Sequence, residues 1–476
     1  TVIKMYNPSG KAMFTQYLSS TRAVDVNISN DNKYLAIAEI DTSKTTIQSN
    51  IKIISIDKAE KNAEDYLEKT YSSTSGKLIT NIRYQDKNKL VCMYTDGISV
   101  IENGQENTLV ETKDKKMSFQ SIEIDNNICY VEEKSSGLFT ADSVVNIINI
   151  DNKNSKQYTV NYVAKEIFTN VDMLQNNINI VTNHIRKKLE AKGESDIDRK
   201  VLTFLPTKDG KPYYFDGDSY WRVCLFIPNS KSYEEVTPDL SYEAGKAFGD
   251  FQSMLADLPE GSLGETIPNF HNMEFRLEQF HDAVKANAAG RLEEVKDLIE
   301  EIEKRAEAMC IQERLYREGK LQKRTNHCDT KVNNMMFDAD TDKVLCVIDL
   351  DTVMPGFVLS DIGDFIRTGA NTGAEDDENL DNVNVNMDIF KAYTRGYMET
   401  AKAFLSPLEI SLLPYGGRLL TYMQTVRFLT DYINGDTYYK IHNPKHNLIR
   451  TKAQFKLLQS LEEHAEEMDN FMKEWL

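Results

Sequence analysis

The sequence predicts an α+β protein, with an all-β region over residues 1–165 and a second region that becomes mostly helical toward residue 476. Before residue 165, apolar and polar residues alternate in short runs separated by polar turns, as they do in β-hairpins. After it, apolar residues recur about every three to four positions, as on one face of a helix. The chain of 476 residues is 41% hydrophobic, which is enough for more than one core.

Three pairs of strands, at residues 23–38, 79–94 and 119–131, share this alternation and the turn signals between strands. They recur at intervals of about 40–55 residues, which is typical of the blades of a β-propeller. A closed propeller needs about four to eight blades. The first region is therefore predicted to be propeller-like and incomplete, or a small sandwich. Residues 58–71 are the best helix candidate within it.

The second region opens with a predicted helix at residues 170–192, because its apolar residues follow the helical period. The elements predicted after it are strands at 201–205 and 220–227, a connector at 228–232, helices at 242–258 and 274–319 with a break near Gly290, a strand at 343–349, and helices within 387–476. We therefore expect three domains: residues 1–165, 166–232 and 233–476.

Charge and composition narrow the possible partners. The formal net charge is −18, which argues against nucleic acid as the main partner, because phosphate binding draws on Lys and Arg. No apolar run is long enough to predict a membrane span. The six cysteines have neither zinc nor redox spacing, and we expect buried, reduced thiols in a cytoplasmic protein.

The chemistry is concentrated between residues 326 and 364. His327, Asp329, Lys331 and Asn334 lie in one polar turn, and a short apolar hairpin leads from this turn to Asp349. A hairpin would bring Asp329, Asn334 and Asp349 to the ends of adjacent strands, facing one cleft.

Phosphoryl transfer requires such a set of side chains. One carboxylate orients the attacking hydroxyl and accepts its proton, while an amide oxygen and a second carboxylate hold Mg²⁺ on the nucleotide phosphates. Lys331 is placed to offset charge on the transferring phosphoryl group. His327 is expected to brace the turn by hydrogen bonds, and a direct part in catalysis is the alternative.

The string His327-Cys-Asp-Thr-Lys-Val-Asn-Asn334, followed by Val347-Ile-Asp-Leu-Asp351, resembles the signature of aminoglycoside/choline-kinase-like phosphotransferases. Within them it is most similar to sugar kinases that resemble N-acetylhexosamine 1-kinase. The resemblance covers about residues 168–476. It implies a protein-kinase-like bilobal fold with ATP in the interlobe cleft, and transfer of the γ-phosphoryl group to a sugar or amino-sugar hydroxyl.

By the same resemblance, Asp329 is the catalytic base, and Asn334 and Asp349 are the Mg²⁺ ligands. Asp351 is a candidate for binding metal or substrate, and the strand at 220–227 with its connector is the hinge that holds adenine.

The chain departs from that family upstream of the first helix. A glycine-containing hairpin over the phosphates is expected near residues 135–165, where the sequence offers only Ser135-Ser-Gly137. The N-terminal part instead resembles uncharacterised bacterial propeller-like proteins, as in a chimera. Residues 146–160 are the alternative source of the missing kinase strands.

Two other functions remain open. The second region is alternatively a catalytically impaired kinase-like domain fused to a propeller-like binding module. Residues 347–353 also fit the nucleophile loop of haloacid-dehalogenase-like phosphatases, in which Asp349 would attack phosphate and Asp351 would act as acid and base.

Overall fold

The computed structural model describes residues 2–6, 9–10, 12–17, 21–41, 43, 48–61, 63–72, 78–111, 117–135, 143–152, 155–165 and 167–476. The chain divides into two compact units. Unit 1 is Thr1–Tyr162 with Leu205–Phe226, and unit 2 is Val163–Phe204 with Ile227–Leu476. The domain boundaries expected from the sequence stay predictions. None of the helices within the described ranges is long and apolar enough to cross a membrane.

Unit 1 is built almost entirely of strands. In chain order these are β1 (Val2–Tyr6), β2 (Ala12–Tyr17), β3 (Thr21–Ile28), β4 (Tyr34–Asp41), β5 (Gln48–Ser55), β6 (Leu67–Ser72), β7 (Ile79–Tyr84), β8 (Lys89–Tyr94), β9 (Gly97–Glu102), β10 (Gln105–Glu111), β11 (Met117–Asp125), β12 (Ile128–Ser135), β13 (Ser143–Asn149), β14 (Ser155–Val163), β15 (Phe204–Leu205), β16 (Tyr214–Phe215) and β17 (Tyr220–Leu225). One short helix, α1 (Ile56–Glu60), follows β5.

Two four-stranded antiparallel sheets repeat the same meander, β3-β4-β5-β6 and β7-β8-β9-β10. The three predicted hairpins are confirmed as the pairs β3-β4, β7-β8 and β11-β12. The helix predicted at residues 58–71 is wrong, because α1 ends at Glu60 and β6 pairs with β5. The ladder to β5 satisfies the backbone of β6, and this tertiary pairing overrides the weak local helix preference.

The third sheet joins the two sequence regions. Its strand order is β11-β12-β13-β14-β17-β15, with β16 also paired to β17. Residues 146–160 therefore supply two strands that lie in one sheet with the predicted hinge strand. The backbone N–H of Phe226 donates to the carbonyl of Gln157 over 3.0 Å. Ser136 and Gly137, where the phosphate hairpin was sought, lie outside the described residues.

Unit 2 is mostly helical. Its helices are α2 (Val171–Ala191), α3 (Ile197–Lys200), α4 (Pro238–Leu255), α5 (Met273–Ala286), α6 (Lys296–Glu303), α7 (Ala306–Met309), α8 (Ile311–Arg317), α9 (Val358–Gly369), α10 (Met387–Ala401), α11 (Pro407–Asn434), α12 (His446–Glu463) and α13 (Ala465–Met472). Its strands are β18 (Ser230–Lys231), β19 (Arg324–Asn326), β20 (Met335–Asp338), β21 (Val344–Val347) and β22 (Met354–Gly356). Unit 2 also contains short 3₁₀ helices at Leu292–Val295, Val332–Asn334, Leu350–Thr352, Leu380–Asn382 and Lys473–Trp475.

Local sequence accounts for several of these elements. The predicted first helix is confirmed as α2, which begins where the side chain of Asn170 accepts from the N–H of Met173 over 2.9 Å. The predicted break near Gly290 is confirmed, since α5 ends before it at Ala286 and the capping residue, Asn287, is left-handed. The strand predicted at 201–205 is shorter, because only Phe204–Leu205 is extended in a sheet.

Helices α4 and α10 pack in backbone contact. A Cβ atom added to Gly245 would lie 2.1 Å from the carbonyl oxygen of Tyr393, and one added to Gly396 would lie 2.0 Å from that of Tyr242. Only glycine permits this approach. It places Gln252 of α4 within reach of the polar residues described next.

Candidate active site

The turn at residues 326–334 connects β19 to β20 and carries the predicted site. β20 and β21 form an antiparallel hairpin in which Met335 pairs with Val347. The N–H of Ile348 donates to the carbonyl of Asn334 over 2.9 Å. Asn334 and Asp349 therefore flank the same end of the hairpin, as predicted.

Asp361, near the start of α9, holds this turn. Its carboxylate accepts from the N–H of His327 over 2.9 Å and from the N–H of Cys328 over 2.7 Å. It also accepts from Nε2 of Gln252 over 2.7 Å, and its backbone carbonyl accepts from the hydroxyl of Thr330. Burial raises the pKa of Asp361, although these hydrogen bonds favour its charged form. The contacts keep Cys328 in a left-handed conformation, with φ of 65°.

Asp329, Lys331 and Asn334 meet on the open side of the turn. Nδ2 of Asn334 donates to the carboxylate of Asp329 over 3.0 Å and to its backbone carbonyl over 2.8 Å. Nζ of Lys331 lies 3.0 Å from the other carboxylate oxygen. Burial lowers the pKa of Lys331, but the carboxylates of Asp329 and Asp364 outweigh it and raise the pKa overall. Lys331 is therefore protonated at neutral pH.

His327 faces the core. It is fully buried, with its ring edge-on to Phe248 and Phe251 at centroid distances of 5.7 and 6.0 Å. Nε2 lies 2.8 Å from the carbonyl oxygen of Ile348, and the backbone carbonyl of His327 accepts from the hydroxyl of Thr352 over 2.7 Å. These contacts join the turn to the segment around Asp349, as expected of a brace.

Asp349 and Asp351 follow β21. Asp349 has a left-handed backbone with φ of 56°, and Asp351 lies in the 3₁₀ helix Leu350–Thr352. The backbone carbonyl of Asp351 accepts from the hydroxyl of Thr266 over 3.2 Å. The strand before Asp349 lies at the edge of the antiparallel sheet β18-β20-β21. The phosphatase alternative is therefore wrong, because its nucleophile loop requires a Rossmann-like βα unit.

The residues predicted to hold Mg²⁺ fit that ion. Because the amide nitrogen of Asn334 is committed to Asp329, its amide oxygen is the atom that suits a cation. Carboxylate and amide oxygens are ligands that Mg²⁺ accepts, and it usually takes only one or two from protein beside substrate phosphates. Across the residues with described positions, no group of three or more His, Cys, Asp or Glu side chains is arranged to hold a metal.

A cavity of about 260 Å³ opens beside Asp329 and is called the Asp329 cavity here. Its charged lining consists of Asp329, Asp364, Glu375, Lys331, Arg367, Arg427 and Arg450. The buried guanidinium of Arg367 donates to Asp364 over 2.9 Å and to Glu375 over 2.7 Å. Burial opposes the charge of Arg367, but these two carboxylates outweigh it and raise its pKa.

Arg427 and Arg450 leave positive charge on the wall of this cavity. The guanidinium of Arg427 lies over the rings of Phe270 and Tyr439, at 5.3 and 5.6 Å. Neither arginine forms an ion pair with a carboxylate in the part of the chain that the structure describes. His271 also lines the cavity. Its burial is the main cause, and the positive charge of Arg427 the second, that lowers its pKa to about 3. His271 is therefore neutral at physiological pH.

Sequence reasoning missed two features of this site. The first is Asp361, to which the sequence pattern assigns no role, although an acid soon after a short strand is a signal for an anchor. The second is Arg427, whose place on the wall of the Asp329 cavity depends on the packing of α11, which the sequence pattern does not determine.

Two family matches divide the chain. Residues 203–397 match the phosphotransferase enzyme family (APH), and residues 1–220 match a family of unknown function (DUF5711). The matches overlap at residues 203–220, a segment that contains β15 and β16.

The solved structures to which this chain is similar include two phosphotransferases and a kinase. An aminoglycoside phosphotransferase from Alicyclobacillus acidocaldarius is 12% identical over 74% of this chain and 94% of its own, with a TM-score of 0.42. Spectinomycin phosphotransferase, solved with ADP and spectinomycin, is 13% identical over 74% and 93%, with a TM-score of 0.42. An ethanolamine kinase from Plasmodium vivax is 13% identical over 71% and 82%, with a TM-score of 0.40.

The family match confirms the resemblance seen in the sequence and the α+β class with a kinase-like phosphotransferase fold. The all-β sheets of the N-terminal region and its separate family match fit a chimera. Residues 203–397 therefore match a phosphotransferase domain, and the predicted enzyme class, a phosphotransferase with an alcohol group as acceptor, is confirmed.

Proposed function

We propose that the chain is an ATP-dependent small-molecule kinase that transfers the γ-phosphoryl group to a hydroxyl of a sugar or amino sugar, with Mg²⁺ as cofactor. The observation that carries this proposal is the contact of Asp329 with both Asn334 and Lys331 beside a cavity of about 260 Å³. A base, an amide and a cation in contact at the edge of a cavity suit the positioning of an acceptor hydroxyl.

Each site residue has its own role in the proposed phosphoryl transfer. Asp329 orients the acceptor hydroxyl and takes its proton. Lys331, held protonated, stabilises charge on the transferring phosphoryl group. Asn334 and Asp349 would hold Mg²⁺, which neutralises the nucleotide phosphates when bound, and Asp351 is a candidate for the same task. His327 keeps the turn against the segment that carries Asp349.

The charge of the cavity wall favours a neutral acceptor. Arg427 and Arg450 bring positive charge without an ion-pair partner among the described residues, whereas the carboxylates of Asp329, Asp364 and Glu375 offset the charges of Lys331 and Arg367. A cationic acceptor such as choline or a free hexosamine would meet like charges there. We therefore expect neutral hexoses and N-acylated amino sugars to be better acceptors. A cytoplasmic location is part of this proposal, because the six cysteines, all within the described residues, form no disulfide.

The test is ADP release by the purified full chain with Mg²⁺ and ATP over N-acetylglucosamine, glucosamine, glucose, choline and homoserine. N-acetylglucosamine and glucosamine form a matched pair, because the N-acetyl group removes the positive charge of the amine. The expected result is acceptor-dependent ADP release with a higher kcat/KM for the N-acetylated sugar. A preference for glucosamine or choline would contradict the neutral acceptor.

Thermal unfolding with Mg·ATP distinguishes this proposal from the remaining alternative, a catalytically impaired kinase-like domain. A ligand at one hundred times its Kd stabilises the folded state by about 2.7 kcal/mol. Stabilisation by Mg·ATP, together with acceptor-dependent ADP release, supports the proposal. No stabilisation and no ADP release with any acceptor would support the impaired kinase-like domain instead.

A further inference from the structure

One buried carboxylate, Asp431, holds a loop at the end of α11. α11 ends at Asn434, and Gly435 follows with φ of 93°. Only 4% of Asp431 is exposed. Its Oδ1 accepts from the N–H of Thr437 over 2.9 Å and of Tyr438 over 2.8 Å, and Oδ2 accepts from the N–H of Tyr439 over 3.0 Å. A single side chain therefore fixes three consecutive backbone N–H groups.

The loop brings two aromatic rings to Arg427. The guanidinium of Arg427 lies 6.0 Å from the ring of Tyr438 and 5.6 Å from that of Tyr439. The hydroxyl of Tyr439 accepts from Nε2 of Gln424 over 3.2 Å. Arg427 and Tyr439 line the Asp329 cavity and also a neighbouring cavity of about 490 Å³. Any shift of the loop would reshape a wall shared by both cavities.

We propose that Asp431 is a positioning residue for the acceptor. It acts through the loop at residues 437–439, by keeping Tyr439 against Arg427 on the wall of the Asp329 cavity. This inference rests on the proposed function, because it assumes that the acceptor occupies the Asp329 cavity. Asp431 is one turn of helix beyond Arg427, so α11 carries both the cation and the anchor of the rings that cover it.

Asp431→Asn is the direct test. Oδ2 of Asp431 also accepts from Nδ2 of Asn447 over 2.8 Å, so donors face both carboxylate oxygens. A carboxamide has one acceptor oxygen, and its NH₂ group would face N–H donors on the other side. With the loop released, we expect the acceptor KM to rise about tenfold while the KM for ATP stays within about twofold. Steady-state kinetics of the full chain measure both.

Asp436→Asn is the matched control in the same loop. Its side chain accepts from Nη1 of Arg291 over 2.6 Å and from Nδ2 of Asn447 over 2.9 Å, and its left-handed φ of 62° suits Asn. This variant is expected to lose stability but to keep the acceptor KM. An equal rise in the acceptor KM for both variants would overturn a specific role for Asp431.

If Asp431→Asn does not fold, amide hydrogen exchange of the wild type tests the inference instead. The amides of Thr437, Tyr438 and Tyr439 are expected to be protected from exchange, because each donates to a buried carboxylate. Absence of protection would overturn the inference, and so would an unchanged acceptor KM in folded Asp431→Asn. A wild type that turns over no acceptor would instead refute the proposed function itself, since the exchange result does not depend on turnover.

Discussion

In each of the two units, a carboxylate accepts a hydrogen bond from the backbone of another segment. In unit 1, Asp25 of β3 accepts from the N–H of Ile82 over 2.9 Å and from Nη1 of Arg83 over 2.7 Å. In unit 2, Asp361 accepts from the N–H groups of His327 and Cys328. Asp25 remains partly exposed beside a cation, whereas Asp361 is fully buried and its main partners are neutral donors. Substitutions at the two residues are therefore expected to change the free energy of unfolding by different amounts.

The wider surroundings differ in the same way. Most buried residues in the sheets of unit 1 are apolar, and polar contacts such as those of Asp25 with Ile82 and Arg83 link one sheet to the next. In unit 2, Asp361 connects through Gln252 to Asn326 and Tyr397, so polar groups form a network inside the core. Because the open side of that network carries Asp329, we infer that polar contacts stabilise unit 1 but also position functional groups in unit 2.

The largest expected effect is that of Asp329→Asn. Loss of the proposed base should lower kcat by about a thousandfold, while folding and nucleotide binding stay nearly intact. Coupled ADP release and a Mg·ATP binding isotherm measure the two properties. Asp469→Asn, on the exposed face of α13, is the control and should keep wild-type turnover. A wild-type rate in Asp329→Asn would show that the base is assigned wrongly.

Asp349→Ala should lower the affinity for Mg·ATP. Removing this proposed metal ligand should weaken Mg·ATP binding by about tenfold or more, because even the partners of metal ligands have effects of that size. Titration with ATP at several Mg²⁺ concentrations measures this. Asp25→Asn in unit 1 is the comparison and should leave the titration unchanged. Unaltered Mg²⁺ dependence in Asp349→Ala would remove Asp349 from the metal site.

Asp361→Asn and Asp25→Asn test the comparison directly. The first should lower the free energy of unfolding of unit 2 by about 3 kcal/mol, because it leaves buried donors unsatisfied, and the second should cost unit 1 about 1 kcal/mol. Each unit has one of the two tryptophans, Trp221 in unit 1 and Trp475 in unit 2. Urea unfolding followed by tryptophan fluorescence in a Trp221→Phe background therefore reports unit 2 alone. Equal losses for the two variants would contradict the proposed difference between the units.

The smallest effect is expected at the surface of unit 2. Hydrogen bonds from Lys188 and His184 lower the pKa of Asp257 to about 2. A lowered pKa favours the folded state above the unfolded value, and that stability is lost as pH falls toward 2. Since Asp257 is largely exposed, Asp257→Asn should cost only about 0.5 kcal/mol at pH 6, and less below about pH 4. Urea unfolding at both pH values measures the difference, and a constant difference would exclude the ion pairs as its cause.

Local pattern was sufficient for much of the architecture. Alternation along β3, β4, β7 and β8 predicted their hairpins, and the helical period predicted α2, because both repeats depend on neighbours a few residues apart. The spacing from His327 to Asn334, followed by an apolar strand before Asp349, predicted the turn and hairpin of the site. There, too, the residues involved are close in sequence.

Long-range packing decided the rest. Strand β6 replaced the predicted helix at residues 58–71 because β5 supplied hydrogen-bond partners that the local pattern does not encode. β14 and β17, about sixty residues apart in the chain, share a sheet. Asp361 reaches the turn from α9, and Arg427 reaches the Asp329 cavity from α11, because each helix is placed by the core around it. Side chains from distant segments converge only when those segments fold together, so their shared site is a property of the tertiary structure.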